Sequence, residues 1–137
     1  EEAGMFGCLA YLSKYGLKRR LFINLDNLGS GTLYAARSEG IVRQFPADAK
    51  LLEIAVKAGQ EPTPLKVGIQ DYNLLTTDAT PILARGGRAL SLMAADENGL
   101  LPHWHWPTDT AGNVDITNLR TGEEWVYRIL TILAQGE

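Results

Sequence analysis

The sequence predicts an α/β layered domain, a mostly parallel or mixed sheet with flanking helices. Three observations lead there. Short apolar runs rich in strand formers recur at 21–25, 32–36, 40–45, 65–69 and 89–94. Apolar residues at helical spacing fill 3–15, 46–57 and 118–135. Nothing between these segments reads as a linker, an internal repeat or a low-complexity tract, so residues 1–137 are expected to share one domain and one core.

Each element has its own reason. In 3–15, Met5, Cys8, Leu9 and Leu12 share a helical face, and Gly16 is a natural stop. Leu21 to Leu25 is nearly continuous in apolar residues, the pattern of a strand buried on both faces. Asn27-Leu28-Gly29-Ser30-Gly31 is loop chemistry. Thr32 to Ala36 and Gly40 to Phe45 read as two strands joined by a turn at Arg37-Ser38-Glu39. Pro46-Ala47-Asp48 opens a helix to about Lys57, with Leu51, Leu52, Ala55 and Val56 inward, and 59–64 is a connector with two prolines. Leu65 to Ile69 is a strand, Thr77 to Pro81 a turn into a short helix, and Ala89 to Ala94 the last clear strand. Residues 96–114 show neither period and read as a long polar and aromatic loop. Asn118 to Gln135 closes as an amphipathic helix with Trp125, Ile129, Ile132 and Leu133 as its buried stripe.

Composition excludes several classes. Thirteen basic against sixteen acidic side chains give a net charge of −3, which argues against a nucleic-acid partner and its basic face. The basic cluster Lys18-Arg19-Arg20 reads as a solvated turn before a strand. No apolar run approaches the roughly 18 residues needed to span a bilayer. A single cysteine, Cys8, precludes an internal disulfide, and its apolar helical setting indicates packing. The opening Glu1-Glu2 without Met reads as an internal starting point, so the lack of a targeting segment carries no information about compartment.

In an α/β sheet, chemistry gathers at loops leaving the carboxyl ends of strands. The turn after Leu25, the turn at Asp78 and the loop after Ala94 all carry polar groups. A carboxylate at a dry strand end costs several kcal/mol unless paired, hydrogen-bonded or metal-bound. Asp26 is therefore either a ligand or a turn cap. His103 and His105 form a His-x-His pair that in extended chain would turn both rings to one side and chelate a metal; the alternative is loop histidines packed among tryptophans. Glu1 and Glu2 taken alone are adjacent acids at a solvated terminus. Trp104, Trp106 and Leu101 serve equally as pocket walls or as core.

Taken in order, Glu1-Glu2-Ala3-Gly4-Met5-Phe6-Gly7, Asn24-Leu25-Asp26, Thr77-Asp78 and His105-Trp106-Pro107-Thr108-Asp109-Thr110 resemble the co-catalytic di-zinc aminopeptidases, the family of bacterial leucyl aminopeptidases and glutamate carboxypeptidase-like enzymes. The resemblance runs from residue 1 to about 134 and corresponds to the carboxyl-terminal half of the peptidase domain, an incomplete zinc-peptidase fold. It implies metal-dependent hydrolysis of peptide bonds with release of amino-terminal residues. Glu1 would be the general base, Glu2 and His105 would ligate one zinc, and Asp26 the second. Asp78 and Asp109 would stand behind the ligands or cap local turns. The implied cofactor is zinc, two ions in the complete domain, and the implied partners are a peptide substrate and the remainder of the peptidase domain upstream.

The chain departs from the family pattern in ways that matter. Two further ligands, a His and a bridging Asp, come in the family from sequence upstream of the Glu-Glu motif. Ala79 stands where many members have His, and Trp106 where Thr often follows the ligand His. An oxyanion-stabilising tyrosine has no aligned match, Tyr72 being the nearest. With three of the family's five ligands, the isolated chain is expected to bind metal weakly and to lack activity. Two other functions fit the pattern: a non-catalytic interaction domain of the same fold, and a single-zinc aminoacyl cyclase.

Overall fold

A computed structural model describes residues 4–136. Helix α1 (Phe6–Tyr15) leads into strand β1 (Leu21–Leu25), then β2 (Thr32–Glu39) and β3 (Phe45–Pro46). Helix α2 (Ala49–Gln60), strand β4 (Val67–Tyr72), the short α3 (Thr80–Leu83), β5 (Arg88–Ala95) and α4 (Ile116–Ala134) complete the chain, with one 3-10 turn at Ala111–Asn113.

The strands form one mixed sheet. β1 lies parallel to β5, β5 antiparallel to β2, and β2 pairs parallel with β4 and antiparallel with the short β3. The predicted α/β layered class is the observed one. Leu25 stands opposite Leu92 and Thr32 opposite Ala95, so the carboxyl ends of β1 and β5 and the start of β2 share one end of the sheet.

Strand periodicity decides what each face carries. Leu33 and Ala35 of β2 and Leu90, Leu92 and Ala94 of β5 point to one side. There they meet Leu51, Ile54, Ala55 and Ala58 of α2 and Trp125 and Ile129 of α4. Trp125 Nε1 donates to the carbonyl of Ala55 at 2.8 Å, which ties the two helices. The close approach of α2 to β4 depends on Gly59, where an added Cβ would lie 2.7 Å from Val67 Cγ2. The opposite face is covered in two patches. Tyr34, Ala36, Tyr72, Met93 and Ala95 form one cluster, and Leu12, Ala79, Ile82 and Ala89 another.

Several boundaries differ from the sequence expectation. The turn expected at Arg37-Ser38-Glu39 is strand: β2 runs through to Glu39 with a register irregularity between Ala36 and Ser38. Arg37 and Ser38 reach across to Asp71 on β4, and Glu39 is buried, so both sides of this segment have partners that local sequence does not reveal. The reversal falls instead at 40–44, begun by Gly40 at φ 129°, and of the expected strand only Phe45–Pro46 is paired. The strand expected over 65–69 is shifted to Val67–Tyr72 by its pairing with β2. α2 begins after Pro46-Ala47, because Asp48 is its N-cap and accepts from the Leu51 amide at 2.9 Å. Asp115 caps α4 in the same way, through the Thr117 and Asn118 amides, which starts that helix before the expected Asn118. Of its expected stripe, Trp125 and Ile129 are fully buried, while Ile132 and Leu133 pack at the margin.

Candidate metal centre

Asp26 follows β1 directly. Its amide donates to Leu92 O at 3.1 Å, so the β1–β5 ladder continues one residue past the strand and holds the aspartate at the sheet end. Asn27 then turns the chain at φ 49°, in the left-handed region that Asn tolerates better than most residues, and its Nδ2 donates to Ala94 O at 2.9 Å. The Asp26 carboxylate is half-buried. The phenol of Tyr34 is pushed well above its usual pKa, first by burial and then by the negative charges of Tyr72, Asp26 and Glu39.

The loop after β5 leaves the same end of the sheet. Asp96 Oδ1 accepts from the amides of Asn98 and Leu100 and forms the first turn. The expectation of an extended His-x-His segment is corrected here. His103 and His105 both sit at positive φ, 63° and 59°, in successive tight turns closed by Trp106 N–H to His103 O and Asp109 N–H to Trp106 O. Turn geometry replaces the two-residue alternation of a strand, so the pair does not act as one chelating unit. His103 is half-buried and lines a cavity of about 140 Å³ with Asn27, Gly29, Ser30, Asp109 and Asn113. His105 is exposed, and its ring stacks on Trp104 with centroids 3.9 Å apart.

The loop after β5 thus folds against the turn after β1, which brings Asp109 and His103 beside Asn27. Asp78 occupies a different place. It lies between Thr77 and Thr80 and lines a cavity of about 410 Å³ with Cys8, Tyr11, Phe22 and Asn24. Its Oδ1 is a buried acceptor with no hydrogen-bond donor among the described residues, a group that a cation or an added donor would complete. The Cys8 thiol donates to the Asp78 carbonyl and is pushed up in pKa by burial first and Asp78 second, the setting of a packed rather than reactive thiol. Glu1 and Glu2 lie outside the described residues. Among the described residues no three His, Cys, Asp or Glu side chains gather closely enough to hold a metal. Asp26 stands at the sheet end and His105 on the loop that follows β5, exposed and stacked on Trp104; a carboxylate and an imidazole are donors of the kinds zinc takes. Of the three residues read as wall or core, Leu101 packs on the Tyr34–Met93 cluster, Trp104 is half-buried and Trp106 is 70% exposed. Tyr72 is buried in the same cluster as Tyr34.

Sequence reasoning missed a buried polar group at the carboxyl end of β2. Glu39 is 1% exposed and accepts from the hydroxyls of Thr77, Thr80 and Ser91. One signal was available: Ser91 is a polar residue in the middle of the apolar run of β5, and a buried hydroxyl needs a partner.

The model of peptidase family M28 matches residues 1–130. The chain belongs to peptidase family M28. Solved structures similar to this M28 chain include a zinc aminopeptidase from Bacillus subtilis (TM-score 0.76, 19% identity, 94% of this chain and 32% of that one). An aminopeptidase from Aneurinibacillus sp. strain AM-1 superposes with a TM-score of 0.71 at 20% identity, over 94% of this chain and 30% of its own. The LapA aminopeptidase of Legionella pneumophila gives 0.71 at 12% identity, over 93% and 36%. The M28 chain spans about a third of the length of the structures it matches. No curated protein sequence matches it.

Proposed function

We propose that this chain carries part of the active site of a zinc-dependent peptidase that releases amino-terminal residues. The observation that carries the reading is the common end of the sheet. Asp26 follows β1, the loop bearing His105 and Asp109 follows the parallel neighbour β5, and that loop closes on the turn after β1. Membership of family M28 and the likeness to a zinc aminopeptidase support the chemistry.

In this reading Glu2 and His105 hold one zinc and Asp26 the other, with Asp78 and Asp109 orienting them. Zinc supplies Lewis acidity, which lowers the pKa of a water it holds toward ~7. Glu1 takes a proton from the attacking water on its carboxylate and passes it to the leaving amine. β1 has one paired neighbour among the described strands, and its Leu21 and Leu25 are 40% and 50% exposed. We assign that edge to the remainder of the peptidase domain, which supplies the further His and Asp ligands.

The test is zinc binding by competition with a chromophoric chelator, followed by turnover of aminoacyl-anilides. Asp26→Asn and His105→Ala are each expected to weaken zinc binding about 10–100-fold. The 137 residues alone are expected to show negligible turnover. Zinc affinity unmoved by both substitutions, or robust turnover by the isolated chain, overturns the reading.

A further inference from the structure

The buried carboxylate of Glu39 is unlike the other acids of the chain. Thr77 Oγ1 donates to its Oε1 at 2.8 Å, Thr80 Oγ1 to the same oxygen at 2.5 Å, and Ser91 Oγ to its Oε2 at 2.6 Å. Each hydroxyl also accepts from an N–H. Thr77 Oγ1 accepts from the Ala79 amide at 3.0 Å, Thr80 Oγ1 from the Thr77 amide at 3.0 Å, and Ser91 Oγ from the Asn24 side-chain amide at 3.3 Å. Each hydroxyl accepts an N–H on one side and has its single proton free for an acceptor, with a Glu39 oxygen in reach of all three; the Thr77 and Ser91 hydroxyls also lie 3.1 Å apart. Three relays, each from N–H through O–H, converge on the one carboxylate.

Their far ends are informative. The Thr77 and Ala79 amides flank Asp78. Asn24 precedes Asp26 by two residues and so shares its face of the strand. An apolar residue in place of Glu39 would hold strand to turn at lower desolvation cost, but it could not set the direction of three hydroxyls. We propose that Glu39 is a positioning residue of the metal centre: its carboxylate ties the turn carrying Asp78 and the strand end carrying Asp26 to one buried point and fixes their relative placement. The proposal rests on the roles given to Asp26 and Asp78 in the proposed function.

Native-state amide hydrogen exchange on the 137-residue chain tests it, with Glu39→Gln, Thr80→Val, Thr80→Ser and the core control Ile54→Val. The readouts are the amides of Ala79 and Asp26, with that of Ile129 in the opposite core as reference. A glutamine must donate through Nε2, which reverses one relay. Glu39→Gln is therefore expected to lower protection of both Ala79 and Asp26 tenfold or more relative to Ile129. Thr80→Val lowers Ala79 strongly and Asp26 several-fold, Thr80→Ser restores both, and Ile54→Val shifts all three alike. If Glu39→Gln does not fold, the contrast between Thr80→Val and Thr80→Ser decides. A second readout separates positioning from mere support: zinc affinity is expected to fall about tenfold in Glu39→Gln and to hold in Ile54→Val at a matched urea midpoint. Unchanged protection, uniform loss, loss confined to Ala79, or local loosening with undiminished zinc affinity overturns the proposal. A wild-type chain without zinc affinity defeats the metal-centre reading instead, and the exchange pattern still decides whether Glu39 couples the two segments.

Discussion

The two faces of the sheet are built by different rules. On the face covered by α2 and α4, every inward residue of β2 and β5 is aliphatic, and the one polar atom of note, Trp125 Nε1, is satisfied by a helix carbonyl. On the other face the same two strands present Tyr34, Glu39, Ser91 and Met93, and the covering elements are a short helix and a hydroxyl-rich turn. The first face gains stability from area and close packing, which are non-directional. The second accepts desolvation costs and recovers them through hydrogen bonds whose direction is fixed. The contrast teaches that area-driven packing and directed hydrogen bonding occupy opposite sides of one sheet, joined through alternate residues of the same strands.

Substitutions should separate the two roles. The largest expected effect is Trp125→Ala on the apolar face, which removes a 1%-exposed ring and its bond to Ala55. A loss of about 3–5 kcal/mol in urea unfolding is expected, and a loss below about 1 kcal/mol would break the comparison. Next is Asp48→Ala at the start of α2, where cap and ion pair meet in one carboxylate. Loss of the cap is expected to cost about 0.5–2 kcal/mol at neutral pH.

The same residue predicts a pH dependence. The hydrogen-bonded Arg88 guanidinium beside Asp48 holds its carboxyl below the usual carboxylate range. Its stabilisation is therefore complete above the unfolded pKa near ~3.9 and disappears as the pH falls through the lower folded value. Urea midpoints compared at pH 7 and pH 2 should converge for wild type and Asp48→Asn; a gap that persists in acid contradicts the assignment. The smallest effect is expected at the solvent-facing Arg37–Asp71 pair, with side chains 62% and 38% exposed. Arg37→Ala should leave the melting midpoint nearly unchanged, since exposed pairs are screened by water and salt. A large shift there would show that β2 and β4 are held by charge rather than by their ladder.

Elements whose evidence lies within a few residues were legible. The helical spacing around Leu51 and Trp125 and the loop chemistry of 27–31 appear as read; 21–25 is a strand as expected, but not one buried on both faces, because β5 is its single neighbour among the described strands and Leu21 and Leu25 are 40% and 50% exposed. What failed was decided at a distance. Arg37-Ser38-Glu39 has the composition of a turn, yet it is strand because Asp71 lies 34 residues from Arg37 in sequence and beside it in space. The His-x-His pair, able to chelate in extended chain, lies instead in tight turns of the loop that meets the Asn27–Ser30 turn. For the candidate site, residue types and order pointed to Asp26 and His105 through resemblance, while Glu39 was signalled only indirectly, by Ser91 within the apolar run of β5.

By itself the sequence determined the family and the layered class, because motif order and apolar period are local properties of a chain. Tertiary structure alone decided which carboxylate was to be buried. Glu39 meets Thr77, Thr80 and Ser91 across separations of 38, 41 and 52 residues. A side chain's dielectric surroundings and hydrogen-bond partners come into being only when distant segments close around it.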